Sequence, residues 1–153
     1  MPVVDLPDEA ATAALAARIS GLAAPGDIIA LKGDLGAGKT TFARAFIRSR
    51  GGEEEVPSPT FTLVQIYELA EAAVWHLDLY RLKSAEEAWE LGIEDAFSEG
   101  IALIEWPERL EALLPQRRLQ ITLQYGDRPE ARRAVLDGGG NWPERLARII
   151  ADA

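Results

Sequence analysis

At 153 residues, 48% hydrophobic and 27% charged, the chain is long enough for one domain with a proper core and too short for two. It has no cysteine, which excludes disulfides and thiolate metal sites, and no apolar run nears the roughly 18–20 residues of a membrane span. A net charge of −9 repels phosphate backbones at long range, so this chain is not expected to be the main grip on any nucleic acid; the same acidity suits docking on a basic partner, or solubility alone.

The first residues lack the basic-then-apolar layout of a signal peptide, which fits the cytoplasm. Leu6-Pro7-Asp8-Glu9 opens a helix predicted over about 8–22, with Asp8 or Glu9 as first-turn acid and Ala13, Leu15, Ala16, Ile19 and Leu22 as its apolar face. Thr12, in its first turns, either meets a nucleotide base or stands solvated. Pro25-Gly26 then turns the chain into Asp27–Lys32, an apolar run of strand length.

The stretch that organises the chain follows: Gly33-Asp34-Leu35-Gly36-Ala37-Gly38-Lys39-Thr40, then Thr41. It fits G-x-x-x-x-G-K-S/T, the phosphate-binding P-loop. A strand precedes it, and apolar residues at helical spacing follow it as far as Gly51-Gly52. Phosphate oxygens need donors that stay in place. Glycines let successive backbone N–H groups turn inward with no Cβ in the way, and the helix starting there adds the positive end of its dipole. Lys39 is expected at the β- and γ-phosphates, and the Thr40 hydroxyl on Mg²⁺.

Glu53-Glu54-Glu55 reads as a solvated loop. Val56-Pro57-Ser58-Pro59-Thr60 is held extended by its prolines, and 57–62 is read either as a γ-phosphate switch or as a rigid connection. Residues 61–68 and 73–80 read as two strands of an antiparallel hairpin. Asp78 lies inside the second, where a carboxylate is costly unless paired. It is a candidate to hold Mg²⁺ or position water, or an ion-pair partner for Arg81 or Lys83. His76, the sole histidine, reads as structural. Ser84–Gly92 reads as a capped helix and Ile93–Phe97 as a further helical turn. Ile101-Ala102-Leu103-Ile104-Glu105 is a buried strand ending in an acid, the pattern that delivers a carboxylate to a nucleotide-bound metal. A short helix over 108–114, strands over 118–125 and 131–136, a glycine-rich flexible break at 137–140 and a last helix capped by Asn141 complete the chain. Arg128, Arg132 and Arg133 cluster where they either approach a nucleotide or remain solvated. Asn141 is the only asparagine, so no guanine-reading Asn-Lys-x-Asp motif exists, and no arginine-rich kinase lid is evident.

Taken together, Leu6-Pro7-Asp8-Glu9 with Thr12, the loop Gly33–Thr41, Ser58–Val64, His76-Leu77-Asp78-Leu79-Tyr80-Arg81 and Ile104-Glu105-Trp106-Pro107 resemble the TsaE (formerly YjeE) family, small ATPases of bacterial tRNA threonylcarbamoyladenosine synthesis. The resemblance implies one α/β domain over 1–153, a P-loop NTPase-like three-layer fold whose mixed sheet includes antiparallel strands. It implies slow hydrolysis of ATP with Mg²⁺, and partners TsaD and TsaB, which carry the tRNA. By matching position, Lys39, Asp78 and Glu105 would be catalytic, and Thr40 and Glu105 would hold Mg²⁺. Thr12 would contact the adenine side, Trp106 would sit near the nucleotide, and Ser58–Thr62 would be the switch. Two other readings of the P-loop remain: a small-molecule kinase, and a nucleotide-gated binding module.

Overall fold

Ile28–Lys32 forms β2, the strand that leads into the glycine-rich loop, and its first four residues are buried. A strand covered on both faces reads as an unbroken apolar run rather than an alternation, and β5 (Ile101–Glu105), its parallel neighbour, has the same character. The computed structural model describes residues 2–34, 36–51, 64–69 and 71–150. The remaining elements are β1 (Val3–Leu6), α1 (Glu9–Leu22), α2 (Lys39–Ser49), β3 (Val64–Glu68), β4 (Ala73–Asp78), α3 (Glu87–Glu90), α4 (Ile93–Glu99), a 3₁₀ segment (Pro107–Leu113), β6 (Leu119–Tyr125), β7 (Arg132–Gly138) and α5 (Trp142–Ile150).

The seven strands lie in the order β1-β7-β6-β2-β5-β4-β3. The central pairs β6–β2, β2–β5 and β5–β4 are parallel, while β3, β7 and β1 join antiparallel. This is the expected mixed α/β sheet, and the expected hairpin is β3–β4. Alternation along the strands divides the core in two. Ile29, Leu31 and Leu103 pack against Leu15 and Ile19 of α1, Phe42 and Phe46 of α2 and Trp142 of α5. Ile28, Leu77, Ala102 and Ile104 face the other way, onto Ala88, Ile93, Ala96 and Leu110. The result is three layers, helices over both faces of the sheet.

Local chemistry explains the element ends. Asp8 caps α1, its Oδ1 accepting the Ala11 N–H at 2.8 Å. Gly51, at φ +103°, closes α2. The Arg145 guanidinium ties α5 to the entry of β2 with a fork, Nη2 donating to Asp27 Oδ1 at 2.9 Å and Nη1 to Oδ2 at 2.5 Å.

Several boundaries differ from expectation. The helix expected from Ser84 is only Glu87–Glu90; no side chain caps it, and the Ser84 carbonyl instead accepts the Glu87 N–H in a turn. The helix over 108–114 is a 3₁₀ segment. Asp137 and Gly138 are not a flexible break: they extend β7 opposite Gln120 and Leu119. The Asn141 side chain accepts from Arg145 Nε rather than capping α5. β1 has no counterpart among the predicted elements. The 53–55 loop and the 57–62 switch lie outside the described residues. Among the described residues, no helix is long and apolar enough to cross a membrane.

Candidate functional site

Between β2 and α2 the chain turns through Gly33 (φ +150°), Gly36 (φ +80°) and Gly38 (φ +103°), where side chains are strained. At Gly33 and Gly36 space is also tight. A Cβ on Gly33 would stand 2.6 Å from the Leu123 carbonyl oxygen, and one on Gly36 2.9 Å from the Tyr125 hydroxyl. Gly38 is the N-cap of α2, with no side-chain cap and no acid in the first helical turn. The helix therefore presents its first amides, and the positive end of its dipole, to whatever the loop encloses. Thr41 lies in that first turn. Leu35 lies outside the described residues.

Lys39 is 4% exposed. Its ammonium donates to the Gly33 carbonyl at 2.5 Å and lies 3.4 Å from the centroid of the Trp106 ring. Burial lowers its proton affinity, opposed by the charges of Glu105, Glu108, Asp78 and Asp34. Trp106 reaches this place through an unusual backbone: at φ +60° it is the only non-glycine residue with positive φ among the described residues. The chain bends there sharply out of β5, and Pro107 begins the 3₁₀ turn. Tyr80 braces the indole from the side, ring centroids 4.9 Å apart.

β5 delivers Glu105 to the mouth of the loop, opposite Asp78 of β4 in the parallel register. Glu105 is 3% exposed, yet both carboxylate oxygens are engaged. The Thr40 hydroxyl donates to Oε1 at 3.1 Å, and His76 Nε2 lies 2.6 Å from Oε2. Among the described residues, His76 Nδ1 is buried with no hydrogen-bond partner. A proton there would be left without an acceptor, so the proton sits on Nε2 and the imidazole donates to the carboxylate. Asp78 is not the ion-pair partner of Arg81 or Lys83; its Oδ1 accepts the Tyr80 N–H at 3.1 Å. Burial raises its proton affinity against that hydrogen bond, and the neighbouring Glu105 charge raises it further.

The structure thus gathers Lys39, Thr40, Asp78, Glu105 and Trp106, with Asp34 close enough to act on the Lys39 charge. Thr12 is buried at 2% on the core side of α1, which overturns the solvated alternative. Arg133 pairs with Asp5 at 3.1 Å on the strand pair β1–β7. Arg132 points to the loop itself, donating to the Gly36 and Ala37 carbonyls. One participant escaped the sequence reading: His76, taken there as structural, hydrogen-bonds an acid of the site. Arg132, read as approaching a nucleotide or solvated, touches loop backbone. The available signal for His76 was its spacing of two from Asp78, which puts both on one face of a strand.

The donor set fits Mg²⁺ held with a nucleotide. A hydroxyl and a carboxylate within 3.1 Å supply hard oxygen ligands. Among the described residues no group of three or more His, Cys, Asp and Glu could hold a metal alone, so further ligands would come from phosphate oxygens and water. The open amides and the buried ammonium fit the phosphates.

Comparison with known proteins gives one result. The model of the family described as "Threonylcarbamoyl adenosine biosynthesis protein TsaE" matches residues 6–135. The tRNA threonylcarbamoyladenosine biosynthesis protein TsaE of Bacillus subtilis (strain 168) is 39% identical over 141 residues, 92% of this chain and 87% of that one. Its counterpart in Rickettsia felis is 43% identical over 123 residues, 80% and 72% of the two chains. The crystal structure of Bacillus subtilis YdiB superposes with a TM-score of 0.81 at 33% identity, covering 99% of this chain and 94% of that one.

Proposed function

This chain belongs to the TsaE family, and on that premise we propose that it is a P-loop ATPase of tRNA threonylcarbamoyladenosine modification, acting on the adenosine 3′ to the anticodon. In this reading it binds ATP with Mg²⁺, hydrolyses it slowly, and supports turnover of a TsaD–TsaB complex that carries the tRNA, in the cytoplasm. The observation that supports the reading is the Thr40–Glu105 contact at 3.1 Å, which brings a loop hydroxyl and the carboxylate at the end of β5 together as two oxygen donors for a nucleotide-bound cation.

Loop amides of Gly38 and Lys39 and the start of α2 bind the phosphate chain. The Lys39 ammonium leaves the Gly33 carbonyl for the β- and γ-phosphates, regaining there the charge stabilisation its burial removes. Thr40 and Glu105 hold Mg²⁺, which when bound neutralises charge on the phosphate oxygens. His76 keeps Glu105 in the orientation that faces Thr40. Asp78, whose environment favours the proton, positions the attacking water and takes up its proton. Trp106 closes the site over Lys39. Thr12 supports the adenine side from within α1.

The test is ATP turnover by the purified chain, alone and with TsaD, TsaB and tRNA. Slow turnover that the complex stimulates, lost in Lys39→Ala and reduced in Glu105→Ala, is the expected result. Wild-type ATP affinity and turnover in Lys39→Ala would sink the site assignment. Turnover indifferent to the complex but raised by a small metabolite would move the chain to kinase chemistry. Partner binding that needs ATP but survives loss of hydrolysis would make it a nucleotide-gated module.

A further inference from the structure

Arg132, the first residue of β7, donates Nε to the Ala37 carbonyl at 3.0 Å and Nη2 to the Gly36 carbonyl at 3.1 Å. Nη1 donates at 2.7 Å to the carbonyls of Pro129 and Ala131. The guanidinium also lies 4.8 Å from the centroid of the Tyr125 ring. One side chain therefore ties two consecutive peptides of the phosphate loop to the β6–β7 turn, and every guanidinium nitrogen has an acceptor.

Consecutive loop carbonyls matter because a trans peptide is a rigid plane, in which the carbonyl of one residue and the N–H of the next point opposite ways. Holding the Gly36 carbonyl fixes the Ala37 N–H, which donates to the Asp34 carbonyl at 3.0 Å. Holding the Ala37 carbonyl fixes the Gly38 N–H, directing it away from Arg132 and into the loop. Gly36 and Gly38 bring the greatest backbone freedom to this stretch, so an untethered loop would spread its amides over many directions. We propose that Arg132 is a positioning residue for phosphate binding. Its planar fork draws the Gly36 and Ala37 carbonyls outward, which locks the turn closed by the Ala37 N–H and aims the Gly38 amide at the phosphates, and its charge adds positive potential behind them. The guanidinium acts through the loop rather than on the nucleotide. This inference rests on the nucleotide-binding reading given above.

The experiment uses the full chain and ADP, which binds without turnover. ADP affinity is measured by calorimetry for wild type, Arg132→Ala, Arg132→Lys and Lys39→Ala. Hydrogen exchange of the 33–39 segment is measured for the same proteins without nucleotide. Arg132→Ala is expected to lose about tenfold in ADP affinity, the scale of a charge-assisted hydrogen bond. Exchange should accelerate in the loop and stay unchanged in β2 and in the body of α2. Arg132→Lys recovers only part of this, since one ammonium does not reproduce a fork on two carbonyls. Should Arg132→Ala not fold, Arg132→Lys carries the comparison. ADP affinity within twofold of wild type and unchanged loop exchange, in either variant, overturns the clamp. If Lys39→Ala has then lost ADP, the nucleotide reading stands without the clamp. If Lys39→Ala also binds like wild type, the nucleotide reading itself falls and the clamp with it.

Discussion

Replacing His76 by Phe keeps a flat ring in a fully buried position and removes the donor that lies 2.6 Å from Glu105. A hydrogen bond to a carboxylate contributes about 1.5–3 kcal/mol when both groups are buried, and an abandoned partner bears the desolvation cost as well. His76→Phe is therefore expected to destabilise the fold by about 2 kcal/mol, with Glu105 left to Thr40 alone. Glu105→Leu strands the imidazole in the same way. The two changes together remove both ends of the contact, so their combined loss should fall short of the sum of the single losses by about 1.5–3 kcal/mol. Urea unfolding of the four proteins, followed by far-ultraviolet circular dichroism without nucleotide, measures that coupling. Single losses that add to within about 0.5 kcal/mol would refute the claim that His76 holds Glu105. His76→Gln, which restores an N–H at comparable reach, should recover part of the loss where Phe does not.

Gly33→Ala should cost at least about 1–3 kcal/mol from backbone strain alone, with its Cβ 2.6 Å from the Leu123 oxygen, and should weaken ADP binding; equal urea midpoints for variant and wild type would contradict it. Arg145→Ala leaves Asp27 buried without its fork and should cost about 3 kcal/mol, read from the same unfolding curves, and a loss under about 1 kcal/mol would show that α5 is held by apolar packing instead. For Asp78, folding raises the proton affinity, so the native chain binds this proton more tightly than the unfolded one. Its contribution should decline as pH climbs from the ordinary aspartate value of 3.8 through the raised one and stay flat above. Asp78→Asn lacks that decline, and its stability relative to wild type should therefore rise across the window; a difference independent of pH would remove the burial argument.

The loop was legible because its chemistry is contiguous: glycines, lysine and threonine sit side by side, and strand and helix patterns flank them. The carboxylates were legible more weakly, as acids at the ends of apolar strands. What the sequence does not carry is register. Nothing local says that Asp78 stands opposite Glu105, or that His76 ends at hydrogen-bonding distance from the same carboxylate. Arg132 is the extreme case, its two loop acceptors lying 95 and 96 positions earlier in the chain. β1 escaped for another reason: four residues with only Leu6 buried give too short an alternation to announce a strand. Ser84 misled because a serine three residues before a glutamate looks like a capping box, and here it serves only a turn.

The sheet order has a kinetic consequence. β1 pairs with β7, so Val3 waits for Val135, almost the whole length of the chain. At translation rates of 5–20 residues per second that interval is on the order of ten seconds. During it the first strand has no partner and its backbone donors and acceptors remain with water. Arg132 leaves the ribosome at the same late moment, so its contacts with the Gly36 and Ala37 carbonyls form long after that loop is made. A ligand that stabilises only the finished loop offers no help to the nascent chain. Closing so long a loop also places this sheet among slow-folding topologies.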